Sequence, residues 1–354
     1  MSSEPKPVTD TATNSTAGLK FNPHFVLEPP EPVVNADLSG RVVIVLGANV
    51  GLGFEASKHF AKMCPEKLIM ACRSEAKGKE AVEEVKKSSG FDAIELHIID
   101  LSSFASVREF AAKYVREVGK LDILVANAAM LPVSYESTAD GWELSLQVNY
   151  LSLVMLTFLL LPIMVKTAEK AKHKPRIVIV SSSMHEQTTL DESVIEAESI
   201  LLQMNDAKYC SNLDIIKRRY SDTKLFGVFF VRELNNRLGS NSAIIVNATD
   251  PGRCESQLAR NIPFEVKKQI MAMNLQRYTT EEGSRALIYG AVGKVGDDED
   301  ELKGAHVRRT RKIDYGEFVT GDTGNQLQKR LWDETLEVLC KIEPKLTEPI
   351  SKYL

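Results

Sequence analysis

Short apolar runs alternate with longer amphipathic stretches from residue 41 onward, and this alternation constrains the fold more than any other feature. The runs that predict strands are Arg41–Leu46, Lys67–Cys72, Ala93–Ile99, Leu121–Ala126, Arg176–Ser181 and Ala243–Ala248. Stretches with helical spacing lie between and after them, at Leu52–Met63, Glu75–Ser88, Ser103–Val118, Thr138–Glu169, Arg219–Leu238 and Asn325–Ile342. Strands that are apolar on both faces and separated by helices predict a parallel sheet covered on both sides. Right-handed crossovers then give a doubly wound α/β fold.

The chain is long enough for one large domain, with 354 residues and 44% hydrophobic content. We expect a flexible or surface-wrapped leader over residues 1–37, a single domain over 38–342, and a tail over 343–354. Within the domain, residues 183–217 are predicted to form a helical insertion near the substrate site. Residues 296–342 are predicted to form a C-terminal extension.

Composition argues against several functions. The formal net charge is −4 and the sequence pI is about 6.0, so a nucleic-acid binder is not expected. Five widely spaced cysteines without a CxxC pair and six scattered histidines predict neither a disulfide scaffold nor a metal site. Residues 296–301 and 307–312 are charged and predict a solvated loop.

No secretory signal is recognised at the N-terminus, and we expect a cytoplasmic protein. The most apolar run, Leu151–Val165, is shorter than the roughly 20 residues of a membrane span, and Pro162 interrupts it. We therefore predict a buried helix at this place, with no transmembrane segment.

A glycine-rich turn follows the first predicted strand and precedes the first helix. Its residues are Gly47, Asn49, Gly51, Leu52 and Gly53, with Ala48 and Val50 between them. Glycines let the backbone approach a pyrophosphate, and the helix N-terminus offers it free N–H groups and a partial positive charge. A tight structural turn is the alternative interpretation.

The end of the second strand indicates which dinucleotide would bind. NAD binders carry an acidic residue about 20 residues past the glycines, but Arg73 occupies that place, followed by Ser74. A guanidinium pairs with a 2′-phosphate, so NADP(H) is favoured over NAD(H). The alternative is an exposed arginine at a helix start. Asp100, which precedes Leu101 after the third strand, could accept a hydrogen bond from an adenine amino group or cap the next helix.

Tyr220 and Lys224 stand four residues apart in a predicted helix, so their side chains lie about 6 Å apart on one face. A nearby ammonium depresses the pKa of a phenol and makes it a usable acid or base at neutral pH. A solvated surface pair is the alternative. Ser182 follows the fifth strand, at the sheet edge where ligands bind, and its hydroxyl could hold a substrate oxygen.

Two asparagines lie near the same expected region. Asn127 follows the fourth strand, beside the expected nicotinamide position. Asn149 lies inside the long predicted helix, where it is either a satisfied structural amide or part of a proton relay. Taken alone, Asn149 favours the structural role.

Together these residues resemble the short-chain dehydrogenase/reductase family. The matching segments occur in family order over about residues 38–295: Gly47–Gly53, Asn127–Ala129, Asn149, Ser182, Tyr220–Lys224 and Pro251–Gly252. Within the family, the chain is most similar to retinol-dehydrogenase-like and fungal NADP-dependent members. Two features support this: the ACRS segment at the second strand, and the separation of 38 positions between Ser182 and Tyr220. The sequence departs from the family pattern at Leu46, Ala126, Ala129 and Arg253.

The resemblance implies a mechanism in which hydride passes between NADP(H) and a carbonyl or secondary alcohol. Tyr220 would protonate the developing alkoxide, Lys224 would lower the Tyr220 pKa and hold the ribose, and Ser182 would position the substrate oxygen. Asn149 would bind a water that connects Lys224 to solvent. The implied cofactor-binding residues are Gly47, Asn49, Gly51, Leu52, Gly53, Arg73, Ser74, Asp100, Leu101, Asn127, Ala128, Pro251, Gly252 and Ser256, together with Tyr220 and Lys224.

The substrate is expected to be a lipophilic small molecule, because apolar residues are frequent near the site. A role in secondary metabolism is part of the same expectation. These residues are Met184, Leu190, Ile200, Leu201, Met204, Leu258, Ile262, Phe264 and Ile270. Simple packing of the loops onto the sheet is an equally weighted alternative. Two other functions stay open: a non-catalytic NADP-binding regulatory module, and an NADP⁺-dependent alcohol dehydrogenase. The resemblance also implies that a homodimer through the long helix is an option.

Overall fold

The computed structural model describes residues 28–171, 173–262, 264, 268, 276–296 and 298–354. Strands between residues 42 and 313 form one sheet. The strand order is β3-β2-β1-β4-β5-β6-β7-β8, parallel except for the antiparallel β7–β8 pair. The strands are β1 Val42–Leu46, β2 Lys67–Cys72, β3 Ile94–Ile98, β4 Ile123–Ala126, β5 Arg176–Val180, β6 Ile245–Asp250, β7 Ala305–Arg308 and β8 Arg311–Ile313. The predicted doubly wound α/β fold is confirmed.

Helices cover both faces of this sheet. Their bounds are α1 Gly51–Lys62, α2 Glu75–Ser89, α3 Phe104–Glu117, α4 Leu144–Lys170, α5 Glu192–Ile195, α6 Ile200–Asn205, α7 Ala207–Cys210, α8 Leu213–Leu238, α9 Thr280–Val292, α10 Glu317–Thr320, α11 Asp322–Ile342 and α12 Thr347–Tyr353. One core cluster joins the sheet to α1, α2 and α9. The other joins it to α3, α4, α8 and α11.

The long helix α4 begins later than the predicted start at Thr138. The Glu143 carboxylate accepts hydrogen bonds from the backbone N–H groups of Ser145 and Leu146, at 3.0 and 2.8 Å, and so fixes the helix start. The helix continues through Pro162 and contains a π turn at Gln147–Leu151. It is long and apolar enough to cross a membrane, but 78% of its most apolar window is buried inside the protein. The prediction of a buried helix therefore agrees with the structure.

The C-terminal region differs from the prediction. The segment 307–312, predicted as a solvated loop, instead supplies most of the hairpin β7–β8, and Val307 is fully buried beside Thr249 of β6. The charged residues misled the prediction because Arg308 has carboxylate partners within the protein. The predicted tail 343–354 contains helix α12, which packs on α4.

The insertion over residues 183–217 begins with a 3₁₀ turn at Ser183–Gln187, continues through α5–α7, and ends as the first turn of α8. Helix α11 holds it from outside. The Glu334 carboxylate accepts hydrogen bonds from the Ser199 hydroxyl at 2.9 Å and the Leu201 N–H at 3.0 Å. The insertion is therefore integrated into the core that lies between the sheet and α11.

The segment that precedes β1 crosses the surface near the end of β6. Tyr278 donates a hydrogen bond to the Glu28 carbonyl at 2.9 Å, and the Glu28 carboxylate binds the guanidinium groups of Arg309 and Arg311. Arg285 donates to the Glu31 carbonyl at 2.8 Å. The described part of the predicted leader thus wraps the surface, and residues 1–27 lie outside the described residues.

Candidate active site

The predicted site residues lie at the carboxyl ends of neighbouring parallel strands. Gly47 follows β1, Arg73 follows β2, Asn127 follows β4, Ser182 follows β5 and Pro251 follows β6. The strand order reverses between β1 and β4, and ligands of such sheets bind in the crevice at that switch point. The fold therefore collects these residues at the position where a dinucleotide site is expected.

The glycine turn depends on close contacts that side chains would prevent. Gly47 has φ +71°, and a Cβ on Gly53 would lie 2.5 Å from the Gly47 carbonyl oxygen. The Asn127 amide donates to the carbonyl oxygens of Leu46 and Gly47, at 3.1 and 3.3 Å. Asn127 therefore braces the turn, and Ala128 packs on Gly47 from the same side. This brace supplies hydrogen bonds at a turn where Leu46 offers no side-chain hydroxyl.

The N-terminus of α1 offers backbone N–H groups to the turn. Val50 occupies the N-cap without a side-chain hydrogen bond, and the first turn contains no acidic residue. The starts of α2, α3 and α9 are instead capped by Ser74, Ser103 and Thr279. Free N–H groups and a positive dipole end suit a phosphate, so the turn and helix fit the pyrophosphate of a dinucleotide.

Arg73 and Ser74 lie at the end of β2. The Arg73 side chain is exposed and has no hydrogen-bond or ion-pair partner among the residues that the structure describes. Ser74 caps α2 by accepting from the Lys77 N–H at 3.4 Å. The guanidinium is therefore available for an anionic ligand, whereas the serine hydroxyl already has a local role.

Asp100 forms a local turn after β3 and does not cap the next helix. Its carboxylate accepts from the N–H and hydroxyl of Ser102, at 2.9 and 2.7 Å, while Ser103 caps α3. Leu101 is 7% exposed, and its carbonyl accepts from the Ser152 hydroxyl. The structure leaves the adenine contact of Asp100 as a prediction.

The structure brings Ser182, Tyr220 and Lys224 together. The Ser182 side chain lies beside the Tyr220 phenol, close enough to lower its pKa. The Lys224 Nζ lies 5.5 Å from the centre of the Tyr220 ring and donates to the Val180 carbonyl at 2.6 Å. Tyr220 and Lys224 are 7% and 5% exposed, so the solvated-pair alternative does not describe them.

Burial, more than the lysine charge, controls the protonation of this pair. Desolvation raises the pKa of the Tyr220 phenol, and the Asp250 carboxylate raises it further. The expectation of a depressed Tyr220 pKa is therefore wrong for the protein without ligand. Desolvation also lowers the pKa of Lys224 to about 8, against the opposing effect of Asp250. The phenol is thus neutral at pH 7 and holds a proton that it can donate.

Asn149 lies in the π turn of α4 and is held on both sides. Its Oδ1 accepts from the Met130 N–H at 2.8 Å, while its Nδ2 donates to the Met130 carbonyl and the Thr223 hydroxyl. Both amide hydrogens are therefore used inside the protein, as the structural alternative predicts. π turns are frequent at functional sites, and this one ties the segment after β4 to the residue before Lys224.

The segment after β6 contains Pro251, Gly252 and Ser256. Gly252 has φ +78° and donates its N–H to the Asp250 carboxylate at 2.9 Å. Pro251 is buried, whereas Ser256 is exposed and caps a short 3₁₀ turn. These positions border the crevice, and their contacts with a cofactor stay predictions.

Sequence reasoning missed Asp250, the buried carboxylate that affects both Tyr220 and Lys224. It accepts from Arg308 Nε at 2.9 Å, and Arg308 also binds Glu186 at 2.6 Å. Its place at the carboxyl end of a strand, directly before Pro251, was a signal for its role. Arg308 had no such signal, because its strand was predicted as a loop.

The apolar residues expected to line the substrate site divide into two groups. Four of them are buried in the core cluster of α8 and α11 and so match the packing alternative: Leu190, Ile200, Leu201 and Met204. Met184, Leu258 and Ile262 are half-buried and stay available as lining. Phe264 is 75% exposed, and Ile270 lies outside the described residues.

Comparisons of the sequence with known proteins give consistent matches. The short chain dehydrogenase family model matches residues 41–194. A short chain dehydrogenase/reductase of Cryptosporiopsis sp. is 32% identical, over 89% of this chain and 95% of the relative. A short-chain dehydrogenase/reductase of Phaeosphaeria nodorum is 34% identical, over 93% of this chain and 94% of the relative.

Solved structures show the same fold at lower identity. An uncharacterized protein from Mycobacterium Paratuberculosis has a TM-score of 0.61 and 23% identity, over 87% of this chain and 98% of its own. A short chain dehydrogenase from Shigella flexneri, solved in complex with NADP, has a TM-score of 0.53 and 20% identity, over 78% of this chain and 99% of its own.

Proposed function

The chain belongs to the short-chain dehydrogenase/reductase family of oxidoreductases, and from this premise we propose that it transfers hydride between NADP(H) and a carbonyl or secondary alcohol of a lipophilic small molecule. The observation that carries this proposal is the buried contact of the Tyr220 phenol with Ser182, with Lys224 on the same helix face. A hydroxyl and a protonated phenol at one place can bind one substrate oxygen and give it a proton.

The chain's own residues supply binding and proton transfer. The nicotinamide, when bound, supplies or accepts the hydride. In reduction, Ser182 holds the substrate oxygen and Tyr220 donates its phenolic proton to it. Lys224 carries the donors for the ribose hydroxyls. Asn149 keeps α4, the segment after β4 and α8 in register, so that this group is positioned before substrate arrives.

The 2′-phosphate form of the cofactor is proposed because of Arg73. An exposed guanidinium without a partner among the described residues, at the end of β2, suits a phosphate, and no carboxylate occupies the place used for a ribose 2′-hydroxyl. The NADP found in the Shigella flexneri relative is consistent with this choice.

A lipophilic substrate is proposed from the half-buried side chains that remain beside the site. Met184 follows Ser182 by two positions, and Leu258 and Ile262 follow the turn after β6. The similarity to fungal relatives over most of the chain supports a role in secondary metabolism as part of the same proposal. A cytoplasmic location belongs to it as well, because five widely spaced cysteines fit a reducing compartment.

The test compares the wild type with Tyr220→Phe on a panel of lipophilic ketones, aldehydes and quinones, followed by NADPH absorbance. Turnover should fall by about 10²–10⁴-fold, which is the usual contribution of a positioned acid, while NADPH binding changes little. Tyr289→Phe is the matched control. Tyr289 packs near Ile245 at the opposite end of β6, so loss of its hydroxyl should leave the rate unchanged.

Two results would contradict the proposal. A Tyr220→Phe protein with the wild-type rate would remove the assigned acid. NADPH binding by the wild type without turnover on the whole panel, and without oxidation of the matching alcohols by NADP⁺, would favour the regulatory-module alternative.

A further inference from the structure

We propose that His185, Glu186 and His306 form a site for one divalent transition-metal ion of the zinc class. One ligand atom from each residue lies within 4.8 Å of the others. The site lies between strand β7 and the 3₁₀ turn Ser183–Gln187, which directly follows Ser182 in the chain. It does not depend on the proposed hydride transfer.

Sequence spacing predicted no metal site, since the two histidines lie in segments far apart in the chain. The parallel pairing of β6 with β7 places His306 beside Ala248. The turn after β5 then brings His185 over it, with the two ring centres 4.8 Å apart. The fold therefore assembles a ligand pair that no local motif could reveal.

His185 is already oriented as a metal ligand. Its Nδ1 donates to the Ser182 carbonyl at 2.6 Å, so the proton sits on Nδ1 and the lone pair on Nε2. Metal-binding histidines usually donate their second ring N–H to such a carbonyl, which fixes the tautomer and the ring orientation. Nε2 of this buried ring has no hydrogen-bond partner among the described residues.

His306 is the second independent sign of a ligand. The ring is fully buried, yet neither of its nitrogens has a hydrogen-bond partner within the part of the chain that the structure describes. Buried polar atoms normally have partners, and an orphaned one costs free energy.

Glu186 supplies an anionic ligand and part of the charge balance. One of its oxygens binds Arg308 at 2.6 Å, which leaves the second oxygen for the ion. Arg308 also binds the buried Asp250. Two imidazole nitrogens and a carboxylate, with water in the fourth position, match a zinc coordination sphere.

The experiment is a titration of the untagged, metal-stripped full chain with Zn²⁺ in competition with a chromogenic chelator. The wild type should bind one ion per chain and gain thermal stability with it. His185→Gln and His306→Gln should each weaken binding by at least about 10–100-fold, because loss of an outer partner of a ligand already costs that much. Circular dichroism and NADPH binding check that both variants fold.

Two further variants keep the test decisive. Glu186→Gln changes a partly exposed side chain and preserves its size, so it should weaken Zn²⁺ binding at least about tenfold without loss of folding. His59→Gln is the matched control: it removes a half-buried imidazole that pairs with Glu281 outside the cluster, and should bind like the wild type. Absence of one-to-one binding by the wild type, or equal binding by the wild type, Glu186→Gln and both histidine variants, would overturn the proposal.

Discussion

Burial sets the protonation states of Tyr220 and Lys224, although they lie close enough to influence each other. Desolvation disfavours the charged form of each group, so it raises the pKa of the phenol and lowers that of the ammonium. Asp250 opposes the change at Lys224 and adds to the change at Tyr220. At the residue scale, the buried carboxylate therefore keeps a proton on both members of the pair.

The lowered pKa of Lys224 predicts a pH dependence of stability. Its folded value is about 8, below the unfolded value of 10.5, so the unfolded state binds more protons between these two values. The contribution of Lys224 to the free energy of unfolding therefore rises with pH, by about 2–3 kcal/mol between pH 7 and 10. Urea unfolding of the ligand-free protein measures it.

Lys224→Met isolates this effect, because all other titrating groups are shared with the wild type. The free energy of unfolding of the wild type should rise relative to that of Lys224→Met as the pH rises from 8 to 10. A constant difference across that range would show that Lys224 titrates in the folded protein as it does in the unfolded chain.

The Arg73 side chain should make the protein bind NADPH more tightly than NADH. Arg73→Gln should weaken NADPH binding about tenfold to a hundredfold, since a hydrogen bond to a charged group contributes roughly 1.5–3 kcal/mol, and should leave NADH binding unchanged. Arg116→Gln, which removes an exposed arginine paired with Glu117, serves as the control. Equal wild-type affinities for NADPH and NADH would refute the role of Arg73. Fluorescence titration gives both constants.

At the element scale, the sequence predicted the elements whose signals are local. The glycine turn and the first six strands follow from apolar runs and from residues such as Gly47 and Gly53. The hairpin β7–β8 was missed because the partners of its charged side chains lie far away in the chain. The brace between Asn127 and the glycine turn was missed for the same reason, since it joins two separate strand ends.

Replacement of glycine by alanine should have opposite effects on stability at two helical positions. In α8, the only described residue that a Cβ on Gly227 would meet is Ile179, at 3.6 Å, so Gly227→Ala should stabilise the protein by roughly 0.5–1 kcal/mol. In α9, a Cβ on Gly290 would lie 2.5 Å from the Thr249 hydroxyl, so Gly290→Ala should destabilise it by about 1–3 kcal/mol. Denaturant unfolding compares them, and shifts of the same sign would contradict the packing described for these helices.

At the scale of the whole molecule, the C-terminal residues complete the covering of α4. Leu346 is fully buried, and Ile350, Tyr353 and Leu354 pack on the same core. A homodimer through α4, which the family resemblance allows, would therefore require α12 to leave its place. No sequence pattern indicated this packing, because α12 is short and its apolar residues are few.

Deletion of residues 343–354 should therefore expose apolar surface. Loss of the buried Leu346 alone should destabilise the protein by about 2–5 kcal/mol, and the uncovered helix should promote self-association. Thermal unfolding and light scattering after size exclusion measure both effects. Lys352→Ala, which changes an exposed residue of α12, should have neither effect. A deletion variant with unchanged melting temperature and mass would contradict this.

Glu28 and Glu31 fasten the start of the described chain to Tyr278, Arg285, Arg309 and Arg311, next to the loop that borders the crevice. An N-terminal truncation made for expression would therefore also remove these contacts. A shortened protein that purifies well but turns over poorly would then have lost the contacts beside Pro251, while Ser182, Tyr220 and Lys224 stayed in place.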